Sequence, residues 1–127
     1  MLDHPHLRTV YGTAAPEDVD DGIIIISGAA GRIVTIVDAW VRCTGTAETC
    51  TSIDITDGTT VAVAFGVAAL TDGTVVRAGD ANTTATNLGL ELLDDTPILI
   101  KTTGDDIGTS TAVEWCVSYI VTSMVAS

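Results

Sequence analysis

Residues 50–67 read CTSIDITDGTTVAVAFGV, and this stretch decides the fold class. Apolar side chains alternate with polar ones before Asp57-Gly58, and large apolar side chains alternate with alanine and glycine after it. A period of two is typical of β-strands, and Asp-Gly is the strongest short hairpin signal. The stretch therefore predicts two antiparallel strands, residues 50–56 and 59–67, that pair across the turn.

The same pattern of short apolar runs separated by turn residues continues on both sides of this hairpin. No segment of ten or more residues has apolar side chains at spacings of three and four, so helix is limited to one turn near Ala68 or Ala85. The sequence predicts an all-β fold, an antiparallel β-sandwich of about eight strands that is jelly-roll-like, and it disfavours a closed barrel. The predicted strands are 23–27, 33–43, 50–56, 59–67, 74–78, 88–93, 98–103 and 112–122.

Residues 1–21 differ from the rest of the chain. They contain both histidines, two of the three prolines and the acidic run 17–21, without sustained periodicity. We interpret them as an extended N-terminal arm, which can be removed without unfolding a sandwich domain formed by residues 22–127. Fully extended, such an arm reaches roughly 70 Å, enough to contact a neighbouring molecule. A frayed terminus is the alternative.

The net charge and the apolar content of the chain limit which kinds of partner it can bind. The 127 residues carry a net charge of −12, and such a field repels the phosphates of nucleic acids. No stretch approaches the roughly 18 apolar residues that span a bilayer, so we expect no membrane partner. The first residues lack a basic stretch followed by an apolar run, which predicts synthesis and folding in a cytoplasm.

The three cysteines permit two interpretations. Cys43 and Cys50 flank the loop 44–49, where a hairpin would place them at a distance suited to a disulfide. A cytoplasmic origin instead favours free thiols. Cys116 is interpreted as a small core residue.

The sequence predicts no catalytic site and no cofactor. Both histidines, His4 and His6, lie in the predicted arm, where nothing fixes them for proton transfer or metal binding. No predicted strand contains a histidine, which argues against a cupin-like enzyme. The motifs of nucleophile elbows, phosphate-binding loops and dinucleotide-binding turns are absent from the sequence.

Binding of calcium or glycans remains an alternative function. Aspartates in the predicted turns supply the oxygen ligands that Ca²⁺ prefers, although aspartate is also an ordinary turn residue. Glycan binding needs exposed aromatic side chains, and only Tyr11 meets this need, because the other strand aromatics fall on faces that are expected to be buried. Those aromatics are Trp40, Phe65, Trp115 and Tyr119.

Four stretches together resemble a known family. They are GRIVTIVDAWVR at 31–42, IDITDG at 53–58, PILIKTTG at 97–104 and VEWCVSYI at 113–120. With the acidic arm before them, they resemble the small decoration, or cement, proteins of tailed bacteriophage heads. The resemblance implies a structural virion protein on the capsid exterior, usually a homotrimer, that binds the major capsid protein and stabilises the shell. Another head or tail structural component is a further alternative.

This resemblance suggests two sets of contact residues. The arm would touch the capsid, and the candidates there are His4, His6, Leu7, Arg8 and Tyr11. Apolar strand faces would pack between subunits, with the alternative that they cover the second layer of the same domain. The candidates for this packing are Ala62, Ala64, Ile120, Thr122 and Met124.

Overall fold

The computed structural model describes residues 7–28, 32–84, 91–93 and 97–123, without the side chains of residues 32, 91–93, 122 and 123. These residues form ten strands, one short α-helix and one 3-10 turn. The strands are β1 (Leu7–Ala14), β2 (Ile23–Ile26), β3 (Arg32–Thr44), β4 (Cys50–Thr56), β5 (Val61–Gly66), β6 (Val75–Arg77), β7 (Thr83–Thr84), β8 (Glu91–Leu93), β9 (Ile98–Gly104) and β10 (Ala112–Ser123). The helix α1 is Pro16–Asp21, and the 3-10 turn is Val67–Ala69.

Two antiparallel sheets pack together. In sheet A the order is β1-β10-β3-β6, and β8 also pairs with β3; in sheet B the order is β2-β9-β4-β5-β7. With the two short strands β7 and β8 set aside, the first strand pairs with the last, the second with the next to last, and so on inward to the hairpin β4-β5. This nested pairing over two sheets is the jelly roll. The predicted all-β sandwich is therefore confirmed.

The core lies between the sheets and is built from the inward half of each alternating strand. Phe65, Ile36, Ile53 and Ile55 are the largest of its fully buried side chains. Each such side chain stabilises the fold by about 1.5–3 kcal/mol relative to an exposed one. The abundance of valine and isoleucine thus explains how a chain with few aromatic residues forms a sandwich core.

The central hairpin agrees with the sequence except in its turn. Strands β4 and β5 pair from Ser52 with Gly66 to Thr56 with Val61, so four residues rather than two connect them. The Asp57 carboxylate accepts hydrogen bonds from the backbone N–H groups of the two residues that close the turn, at 2.8 and 2.6 Å. Asp57 therefore stabilises the turn. The 3-10 turn confirms the expected helical turn at Ala68, whereas Ala85 lies outside the described residues.

The predicted arm is wrong for residues 7–21, and residues 1–6 lie outside the described part. Strand β1 pairs with β10 along its whole length, from Leu7 opposite Ile120 to Ala14 opposite Val113. Helix α1 then crosses from sheet A to sheet B and buries Val19 completely. These residues are part of the sandwich because β1 is the first strand of the jelly roll. No helix among the described residues is long and apolar enough to cross a membrane.

Close packing at Gly12 explains the weak alternation of β1. Gly12 lies opposite Trp115, and a Cβ atom added to it would be 2.7 Å from Cζ2 of the indole. Real Cβ contacts are essentially never that short. The strand therefore needs glycine at the position where the sequence pattern expects a large inward side chain.

The hairpin expected between Cys43 and Cys50 is also wrong. Cys43 lies near the end of β3 in sheet A, whereas Cys50 is the first residue of β4 in sheet B. The loop between them therefore crosses from one sheet to the other. Both thiols are free and buried. Burial raises the pKa of Cys43 from 9.0 to about 11, against the lowering effect of a hydrogen bond with Ser110.

We expect dithiobis(nitrobenzoate) at pH 8 to modify Cys116 and to leave Cys43 and Cys50 unmodified in the folded protein. Cys116 is partly exposed, whereas the other two thiols are buried and burial also raises the pKa of both. The attacking species is the thiolate, which burial suppresses. In denaturant without reductant, all three thiols should react. Rapid reaction of all three in the native protein, or of only one in denaturant, would contradict these positions.

Candidate interaction surface

The side chains of sheet A that point away from sheet B form the outer face of sheet A. On β10, Val113, Trp115 and Val117 are buried, so the residues between them point outward. The register places Tyr11 of β1, Cys116 of β10, Trp40 of β3 and Arg77 of β6 side by side in one row across this face. The row crosses four strands of the sheet.

This row is unusually aromatic for a surface of this protein. Tyr11 is 79% exposed, and Trp40 and Cys116 are partly exposed beside it. The expectation that Trp40 is buried is therefore wrong. It alternates with Ala39 and Val41, and these smaller neighbours face the core instead.

Further apolar side chains surround the row. Leu7 is 62% exposed at one end of β1, and its register partner Ile120 is partly exposed. Val37 lies at the β-bulge opposite Ser118 and Tyr119, and Val75 lies on β6; both are exposed. Exposed apolar and aromatic side chains on one face are found at protein interaction sites, and here polar side chains such as Thr9 and Ser118 lie between them.

The charges of the described side chains on this face cancel. The guanidinium of Arg42 lies 3.8 Å from the carboxylate of Glu114, and that of Arg77 lies 3.6 Å from Asp38. Exposed ion pairs of this kind add little to stability. Their effect here is on the field, because four charged side chains contribute no net charge to a protein that carries −12.

The aspartates in turns have structural roles. Asp72 accepts a hydrogen bond from the Gly45 N–H at 2.7 Å, and Asp80 accepts one from the Arg77 N–H at 2.8 Å. Asp106 accepts one from the Thr49 hydroxyl at 2.9 Å. In the described part of the chain, no three acidic, histidine or cysteine side chains are grouped so that they could hold a metal ion.

Sheet B presents a different environment at its centre. Asp54 on β4 is only 4% exposed, and its carboxylate accepts hydrogen bonds from the hydroxyl groups of Ser52 and Thr103. This buried carboxylate is thus engaged within the domain. The large exposed apolar side chain of this sheet is Ile24, on the edge strand β2.

No protein-family model matches this chain, and no curated protein matches it either. Its function must therefore be inferred from the residues that its surfaces expose.

The structure brings together part of each predicted contact set. Leu7, Tyr11 and Ile120 lie on the outer face of sheet A, and the backbone of Thr122 continues β10 beside them. Ala62 is fully buried in the core, so it packs within the domain and not between subunits. Ala64 is partly exposed on sheet B, away from the others. The remaining candidates His4, His6 and Met124 lie outside the described residues, and Arg8 lines a pocket.

Sequence reasoning did not place five residues on this surface. They are Val37, Trp40, Val75, Arg77 and Cys116. The expectation that Cys116 lies in the core is wrong. The signal for Trp40 was present, because small Ala39 and Val41 flank it in a strand of alternating sides. The position of Val37 depends on a bulge, for which the sequence offers no marker.

Proposed function

We propose that this chain is a structural virion protein, a decoration or cement protein that binds the outer surface of a phage head and stabilises it. The observation that carries the proposal is the outer face of sheet A, where exposed Leu7, Tyr11, Val37 and Val75 lie among ion pairs on a strongly acidic domain. Aromatic residues are enriched at protein interfaces relative to the rest of a protein surface. The resemblance of the four sequence stretches to decoration proteins supports the same function.

The major capsid protein is the proposed partner, and the homotrimer is the proposed assembly. A strongly negative domain keeps copies apart in solution, because like charges repel over roughly 8 Å at physiological salt. The ion pairs of the outer face of sheet A add no net charge to that of the domain, which lowers the repulsion that an acidic partner meets there. Light scattering tests the assembly: three times the 13.0 kDa chain supports the trimer, and a monomer that also fails to bind heads contradicts the proposal.

We expect Tyr11→Asp to weaken binding to purified heads at least tenfold, which is about 1.4 kcal/mol. The substitution places a charge at the aromatic row, where binding would remove water from it. Sedimentation of the labelled protein with heads that lack it measures the affinity.

The matched control is Ile24→Asp, which adds the same charge at an apolar side chain 58% exposed on sheet B. Its affinity for heads should stay within about twofold of the unsubstituted chain. Equal losses in both variants, or no loss in either, would show that the outer face of sheet A is not the binding surface.

A glycan-binding module is the second candidate, and the exposure of Tyr11 on the same face as Trp40, two strands away, favours it. Aromatic faces on a sheet can stack on sugar rings as well as on protein side chains. A glycan array that is positive for the unsubstituted chain and negative for Tyr11→Asp would support this candidate, provided that head binding is absent.

A further inference from the structure

A pocket of about 210 Å³ opens between the two sheets, near the start of β1 and the end of β10. It is separate from the outer face of sheet A, because Val34, Tyr119 and Val121 point toward sheet B and Ile25 and Ile26 belong to sheet B. Four of its seven lining residues are aliphatic, and the other three are one arginine, one tyrosine and one serine. The main lining residues are Arg8, Ile25, Ile26, Val34, Tyr119 and Val121.

The register explains how Arg8 comes to line this pocket. Arg8 is the direct partner of Tyr119 across the two strands, so both side chains lie on the same side of sheet A. That side is the inward one, because Arg8 continues the inward row of Val10, Gly12 and Ala14 along β1. Arg8 is nevertheless exposed, so this end of the inward row is open to solvent.

No carboxylate among the described residues forms an ion pair with Arg8. The described ion pairs engage Arg42 and Arg77 instead. Arg8 is exposed, so its guanidinium lies at the rim of the pocket rather than in its depth. A free guanidinium beside a phenol is well suited to bind a carboxylate, because the planar fork can donate two parallel hydrogen bonds.

The volume of the pocket and the net charge of the domain limit which ligands can bind. A cavity of roughly 150 Å³ already holds a benzene molecule, so this pocket takes one apolar group of the size of a leucine or phenylalanine side chain. A doubly charged phosphate would meet the repulsion of a domain with net charge −12 and only one cation in the pocket. A singly charged carboxylate meets less electrostatic repulsion than a doubly charged phosphate does.

We propose that this pocket binds a monocarboxylate with a short apolar group. The carboxylate would lie on the guanidinium of Arg8 near the Tyr119 hydroxyl, and the apolar group would lie between Val34 and Val121. Two sources supply this chemistry: a free organic acid, and the C-terminal carboxylate of a polypeptide whose last side chain is apolar. The pocket does not depend on the proposed function, since no residue that carries that function lines it.

Calorimetry on the full chain tests the site with 4-methylpentanoate, and with 4-methylpentanamide as the uncharged match. We expect the acid to bind at least tenfold more tightly than the amide. Arg8→Gln should remove this preference, whereas Arg42→Gln, which removes an arginine from the outer face of sheet A, should leave it unchanged. Thermal unfolding of both variants checks that the fold is intact.

A second pair of probes separates the two sources. Acetyl-Gly-Leu with a free C-terminal carboxylate is compared with its C-terminal amide. Preference for the peptide acid over 4-methylpentanoate assigns the site to a polypeptide end, and the reverse assigns it to a free acid. The proposal is overturned if acids and amides bind alike, if Arg8→Gln and Arg42→Gln have the same effect, or if no probe binds at about 10 mM.

Discussion

Deleting residues 1–21 is expected to abolish cooperative folding of the domain. The deletion removes β1, which pairs with β10 over eight residues, and α1, whose Val19 is fully buried. It also removes the Asp20 carboxylate that accepts a hydrogen bond from the Thr102 hydroxyl at 2.8 Å. The strand β10 would become an exposed edge with Trp115 uncovered, and such edges promote aggregation.

Thermal unfolding and near-ultraviolet circular dichroism of the truncated chain measure this effect. A point variant tests α1 alone: Val19→Asp places a charge in the core and should cost about 3–5 kcal/mol. Asp21→Ala, at an exposed position of the same helix, should change stability by less than about 0.5 kcal/mol. If the truncated chain still melts cooperatively within about 5 °C of the full chain, residues 7–21 are a removable arm after all.

Phe65→Ala is expected to lower the free energy of unfolding by about 3–5 kcal/mol. Phe65 is the largest of the fully buried side chains, and it lies on β5 opposite Ile53 in the middle of sheet B. Its removal leaves a cavity that the surrounding strands can fill only in part. The loss is large for a domain whose total stability is expected to be about 5–15 kcal/mol.

Urea unfolding followed by tryptophan fluorescence measures the difference, since both Trp40 and Trp115 remain in the variant. Tyr11→Ala is the matched control, because it removes an aromatic ring that is 79% exposed. Its cost should stay near 0.5 kcal/mol or below. Similar losses in the two variants would mean that the core is not centred on Phe65.

Local patterns predicted the parts of the fold that local contacts determine. The alternation around Asp57-Gly58 predicted the hairpin β4-β5, because the turn and both strands are neighbours in sequence. The long alternation after residue 32 predicted β3, the longest strand. The division of these strands into two layers followed from the number of strands and the apolar content.

Features that depend on contacts between residues far apart in sequence could not be predicted from local patterns. Apolar and polar side chains alternate only weakly along β1, because Trp115 occupies the space that a side chain at Gly12 would need. Cys43 and Cys50 flank a short loop, and nothing in that loop distinguishes a hairpin from a crossing between sheets. The outer face of sheet A likewise exists only because four strands from distant parts of the chain come into register.

The nested pairing of the jelly roll also determines the order in which strands can pair during synthesis. Thr9 and Ser118 are 109 positions apart, and their strands are neighbours in sheet A. During synthesis, β1 can therefore pair only after β10 has been made, while the hairpin β4-β5 can close as soon as it emerges. Topologies dominated by such distant pairs fold slowly, in about milliseconds to seconds. Until β10 has been made, the backbone groups of β1 that pair with it stay unpaired, and such edges promote association of newly made chains.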